Sequence, residues 1–164
     1  AHLRADEVAL CRIADGAVLN DRRPSVETGF HRGILAARPE VAAVLHFQSP
    51  AATTFACSKR PGIPFHIIPE IPYYIGPIGW TPYLTPGSPE LADAVVAAME
   101  THDLVVLQNH GLVTVGRDGP DVLQKAAFFE LACTILLQGG GAVGLLSDDA
   151  RDQLLTSGQH SGPV

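Results

Sequence analysis

Two short apolar runs, DLVVLQ (103–108) and LVTVG (112–116), are separated only by Asn109-His110-Gly111, and this feature constrains the chain most. Runs rich in valine and leucine around so tight a connection have the pattern of a β-hairpin. The hairpin lifts His110 to its tip, between a turn-forming asparagine and a glycine. A second histidine, His46, ends another short apolar run, VAAVLHF (41–47), which reads as a buried strand. Side chains two apart on a strand share a face, so Gln48 points the same way as His46. Taken singly, a histidine at a strand end is more often a hydrogen-bonding or surface residue than a ligand. A functional reading requires the two to converge.

Helices alternate with these strands. Pro24-Ser25 precedes a helix-compatible stretch, VETGFHRGILAA, which Arg38-Pro39 stops. Ser49-Pro50 and Ser88-Pro89 each pair an N-cap with a proline at the first helical position, predicting helices to about Ser58 and Thr101. A long helix follows Asp118-Gly119-Pro120 and ends at the glycines 139–141, and Ser147 caps a short last one. Asp15-Gly16, between EVALCRI and AVL, predicts one more hairpin. Most of the 13 prolines fall between residues 61 and 89, among isoleucines and aromatics, which reads as an ordered, stiffened loop. The expected fold is α/β: a three-layer α/β/α sandwich around a mixed, largely antiparallel sheet, in one domain spanning 1–164.

Composition narrows the function classes. Hydrophobic residues make up 46% and charged ones 17%, the balance of a core-forming chain. A net charge of -6 with no basic tract argues against nucleic-acid and anionic-membrane partners. No apolar run reads as long enough to span a bilayer, and no signal-peptide core is seen at the start of the chain. Cys11, Cys57 and Cys133 read as buried free thiols of a reducing, cytoplasmic setting. Lys59 and Lys125 read as exposed, so Schiff-base chemistry, which needs a desolvated lysine, is not expected. There is no nucleophile elbow, phosphate loop or dinucleotide fingerprint. Glu27 shares a helix face with His31 at i+4, which by spacing alone reads as a solvated pair.

Three segments, VLHFQSPAATTFAC, PYLTPGSPELADAV and LVVLQNHGLVTVG, occur in that order and resemble the class II aldolase/adducin family. The resemblance covers about residues 5–150. It implies a divalent-metal site in which His46, Gln48 and His110 are ligands, with Glu27, 19 positions before His46 in a Pro-Ser-x-Glu element, as acid/base. It implies Tyr73 as a second catalytic group, with Ser25 and Tyr74 on the substrate. Zinc is the implied ion, but Gln48 stands where the family has a second strand histidine, so Mn, Co or Mg would compete. The implied protein is a lyase of carbohydrate metabolism that cleaves a C–C bond of a small hydroxylated carbonyl compound, a sugar or sugar phosphate, through a metal-stabilised enediolate. It would be a homotetramer with sites at subunit interfaces. An epimerase, a decarboxylase and a non-catalytic adducin-like assembly domain are the alternatives. The family's N-terminal phosphate-cradling turns precede the residues matched here, so the expectation is either a domain incomplete at its N-terminus or a protein that lacks that pocket.

Overall fold

A computed structural model describes residues 4–58 and 62–160. Its centre is a four-stranded sheet of β1 (Ala43–Phe47), β2 (Ile78–Thr81), β3 (Leu104–Leu107) and β4 (Gly111–Gly116), in the order β1-β4-β3-β2. β4 pairs antiparallel with both β1 and β3, whereas β2 runs parallel to β3. The hairpin strands β3 and β4 are buried along their whole length, because helices cover both faces of the sheet. On one side α1 (Thr28–Ala37) and α3 (Pro89–Met99) pack Phe30, Ile34, Leu91 and Val95 onto Val105, Leu107, Val113 and Val115. On the other, α2 (Pro50–Ala56) and α4 (Gly119–Gly139) enclose Leu104, Val106 and Leu112 with Phe55, Phe129 and Ala132. A last helix, α5 (Asp148–Ser157), sits beside a single π-helical turn, Ile71–Ile75. The mixed α/β architecture expected from the sequence is the one observed.

The caps show how local chemistry sets the layers. Ser88 and Asp118 accept from the amides of Leu91 and Asp121, and proline starts each of those helices. Ser49 was expected to cap α2 in the same way. Instead Glu130 of α4 does so from a distance: its carboxylate accepts from the amides of Ala51 and Ala52 at 2.9 and 2.8 Å and from the Ser49 hydroxyl at 2.6 Å. Burial would raise the Glu130 pKa, but those three donors outweigh it and hold the carboxyl below its usual range. Helices α1 and α3 approach closely because α1 has Gly33 at the crossing, where a Cβ would overlap the Val96 methyl.

Several expectations need correction. The hairpin around Asp15-Gly16 closes with a single bridge, Cys11 to Val18, because residues 8–19 lie outside the sheet with Val8, Leu10, Val18 and Leu19 exposed. The proline-rich stretch is not all loop, since it contains β2 and the π turn. Of the three free cysteines only Cys133 is buried; Cys57 is exposed and Cys11 half-buried. Helix α4 with the turn after it, Gly119–Ala142, is long and apolar enough to cross a membrane by length and composition alone. Here it lies against the sheet, with Phe129, Ala132 and Cys133 fully buried.

Lys125 is also not exposed: it is 2% accessible, its Nζ held by Asp103 Oδ2 at 2.8 Å and the Val115 carbonyl at 2.9 Å. Lys59 lies outside the described residues. The other Asp103 oxygen accepts from Arg38 Nη2 at 2.9 Å, so one buried carboxylate joins α1's end, β3 and α4. Removing that carboxylate leaves the buried Lys125 without its carboxylate and Arg38 with Glu40 alone, and Asp103→Ala is expected to cost about 3–5 kcal/mol of stability. Urea unfolding measures this, and a loss below about 1 kcal/mol, the size of an exposed pair, would show that the network is not desolvated.

Candidate metal and acid/base site

Three elements deliver the candidate residues to one place. His46 is the fourth residue of β1 and lies opposite Val113 of β4. It shares the α1/α3 face of the sheet and meets the Phe30 ring edge-on, with centroids 5.8 Å apart. His110 sits in the β3–β4 turn, where Asn109 adopts a left-handed conformation with φ 56°, a geometry asparagine tolerates better than most residues. The two imidazoles lie 4.9 Å apart, centroid to centroid. Glu27 immediately precedes α1, its amide bonded to the Ser25 hydroxyl oxygen at 3.2 Å. Its carboxylate reaches between the rings: Oε2 lies 3.2 Å from His46 Nε2, and Oε1 lies 3.2 Å from His110 Nε2. All three side chains are mostly buried, with 11–17% accessibility.

The protonation chemistry of this group is specific. His46 Nδ1 lies 2.9 Å from the Leu112 carbonyl oxygen, which can only accept. The neutral ring therefore carries its proton on Nδ1 and turns the Nε2 lone pair toward Glu27. For His110, burial and the charge of His46 push the pKa down, against the opposing pull of Glu27. That keeps its ring neutral near pH 7, the form that ligates metals. The His46 Nε2 lone pair and the Glu27 carboxylate repel unless a proton or a cation lies between them. Ligand atoms sharing a tetrahedral zinc at about 2.0–2.1 Å are about 3.3 Å apart, close to both histidine–carboxylate distances here. The ligating atoms of Glu27, His46 and His110 all lie within 4.8 Å of one another, so the donor set fits a divalent cation. The carbonyl behind His46 is the kind of outer partner that metal-bound histidines use.

The other residues singled out in the sequence are placed differently. Gln48 lies next to the pair, but its amide nitrogen donates to the His110 carbonyl at 2.7 Å. Ser25 flanks Glu27 and lines a cleft of about 560 Å³ that also takes in Thr28, His31, Arg12 and Arg23. Glu27 itself lines a second cleft, of about 530 Å³, between α1 and α3. Tyr73 and Tyr74 belong to the π turn on the α2/α4 side of the sheet, where Tyr74 stacks on Phe128, and neither joins the histidine group. Two supporting groups gave no signal in the sequence: the Leu112 carbonyl, which depends on strand register, and Phe30, which depends on helix orientation. His31, expected as a solvated partner of Glu27, instead stacks on Phe30, and burial followed by the His46 charge lowers its pKa.

Residues 1–137 match the model of the Class II Aldolase and Adducin N-terminal domain. The chain is 35% identical over 122 residues to the 5-methylthioribulose-1-phosphate/5-deoxyribulose-1-phosphate aldolase of Rhodospirillum rubrum, covering 71% of this chain and 52% of that protein. It is 33% identical over 143 residues to the 3-oxo-tetronate 4-phosphate decarboxylase of Haemophilus influenzae, covering 84% of this chain and 68% of that one. The chain thus spans about half the length of the first of these relatives and two-thirds of the second. Both relatives are enzymes. Among solved structures, YgbL from Klebsiella pneumoniae superposes with a TM-score of 0.86 at 23% identity, over 93% of this chain and 75% of that one. An L-fuculose 1-phosphate aldolase superposes at 0.79 and 23% identity, over 94% and 73%. At these identities the structures speak to the fold, and they agree with the sequence match. The chain belongs to the class II aldolase and adducin N-terminal domain family.

Proposed function

We propose that this domain is the core of a divalent-metal-dependent lyase that breaks a C–C bond in a small hydroxylated carbonyl compound. One observation carries the reading: a single carboxylate held 3.2 Å from the Nε2 atoms of two histidines, one of them fixed in tautomer by a backbone carbonyl. Glu27, His46 and His110 would hold the cation, with zinc as the first expectation. When bound, the ion supplies a Lewis acid that polarises a substrate carbonyl or hydroxyl and stabilises the negative charge of C–C cleavage.

The chain's own residues supply the remainder. Glu27 takes the proton from the hydroxyl β to the substrate carbonyl, and the electrons of the breaking C–C bond move toward that carbonyl. Returned to the carbon left behind, the same proton completes the second fragment. His46 and His110 stay aimed at Glu27, and the Phe30 ring packed against His46 helps keep water from it. Because the relatives act on phosphorylated compounds, the cleft beside Ser25, with Arg23 on its wall, is the proposed seat of a substrate phosphate. Tyr73, on the opposite face of the sheet, would serve the site of a neighbouring copy in a homotetramer. Decarboxylation of a phosphorylated 3-oxo acid is the second reading, favoured by the 33% identity to the Haemophilus decarboxylase. It breaks a C–C bond at the same position relative to a carbonyl.

The test is turnover of the metal-loaded protein on a fuculose phosphate, a 5-deoxyribulose phosphate and a 3-oxo-tetronate phosphate. Cleavage of one of these is expected, and Glu27→Gln should reduce kcat by about 10²-fold or more with the melting temperature unchanged. Full turnover in Glu27→Gln would remove Glu27 from the mechanism.

A further inference from the structure

The turn that carries His110 is fastened at several points. Asn109 N–H donates to the Ala56 carbonyl at 2.8 Å, and His110 N–H donates to the Leu107 carbonyl at 3.1 Å. The third fastening comes from a side chain, the bond from Gln48 Nε2 to the His110 carbonyl at 2.7 Å. A carbonyl cannot donate, so the Gln48 amide must present its NH2 there, and chemistry fixes its orientation. The space between these groups is full: a Cβ at Gly111 would lie 2.9 Å from Gln48 Cγ, 2.9 Å from the Phe47 carbonyl oxygen and 3.2 Å from His46 Cε1. Gln48 thus runs alongside the His46 ring and joins the end of β1 to the backbone of the residue bearing the other imidazole.

The two histidines differ in how they are held. The His46 ring is fixed through Nδ1 by the Leu112 carbonyl, whereas His110 Nδ1 is buried with no hydrogen-bond partner among the described residues. Among the described residues no hydrogen bond holds the His110 ring from behind. Its aim is therefore set through its own backbone, and the Gln48 bond sits on that backbone's carbonyl.

We propose that Gln48 is a positioning residue, a clamp that aims His110 at the cation, rather than a ligand. This role rests on the reading of Glu27, His46 and His110 as a cation site. It gives a reason for an exposed glutamine beside two histidines: an amide supplies the donor that the His110 carbonyl needs, which a carboxylate could not. Outer partners of this kind typically change metal affinity by about 10–100-fold, and the exposed position of Gln48 points to the lower end.

Two measurements on Gln48→Leu and Gln48→Glu test the clamp. In metal-free protein, hydrogen exchange at the Asn109 and His110 amides should quicken in both variants, since each removes the donor while Gln48→Glu preserves size. With Co²⁺ added, Gln48→Leu should bind about tenfold more weakly than wild type while its visible absorption bands, which report the ligands themselves, stay unchanged. Exchange unaltered in both variants would overturn the clamp. So would a changed band pattern in Gln48→Leu, which would make Gln48 a ligand. Failure of the cation reading shows separately, as no Co²⁺ uptake by wild type or uptake indifferent to His46→Ala. The metal-free exchange would still decide the clamp.

Discussion

The antiparallel pairing of β1 with β4 places His46 opposite Val113 and brings its Nδ1 onto the Leu112 carbonyl. Everything proposed for the site depends on that register. A slip of one residue would turn His46 to the α2/α4 face and put an apolar side chain beside Glu27. The register is held because β4 is buried on both faces, with Val113 and Val115 facing α1 and α3 and Leu112 facing α2 and α4. At the far end of the same strands, the buried Asp103 carboxylate ties Arg38 and Lys125 together. Burial works against the Arg38 charge, yet its bonds to Glu40 and Asp103 prevail and raise its pKa further. The apolar middle gives the sheet its stability, and the two polar ends fix its alignment.

Glu27 enters this arrangement from a helix start, and Ser49 and Glu130 anchor the chain just past Gln48. The site is therefore built almost entirely from element ends: the end of β1, the start of α1 and the β3–β4 turn. Helix and strand termini leave backbone groups to be satisfied and side chains free to converge, while the elements behind them stay rigid. The family relatives include an aldolase and a decarboxylase, reactions that share a C–C bond broken next to a carbonyl.

Much of this was legible in the sequence, for identifiable reasons. The β3–β4 hairpin, α3 and α4 are written in strong local signals: two apolar runs around Asn-His-Gly, Ser88-Pro89, and Asp118 ahead of Pro120. Glu27, His46 and His110 stood out together only through the family resemblance, since each alone reads as an ordinary polar residue, and the structure brings them within contact of one another. What escaped was non-local. Strand β2 is four residues bracketed by Pro77 and Pro82 and exists because β3 offers it an edge. Lys125 looked solvated in a polar dipeptide, but its partner Asp103 is 22 residues away. Residues 8–19 carried a hairpin signal without a sheet to join, and the tyrosines of the π turn face the other layer.

X-ray absorption at the metal edge of the zinc-loaded protein tests the central claim most directly. The account predicts two imidazole nitrogens, with oxygen completing the shell, at about 2.0–2.2 Å. The imidazole signal should fall by half in His110→Ala. A shell of oxygen alone, or an imidazole signal untouched by His110→Ala, would contradict it.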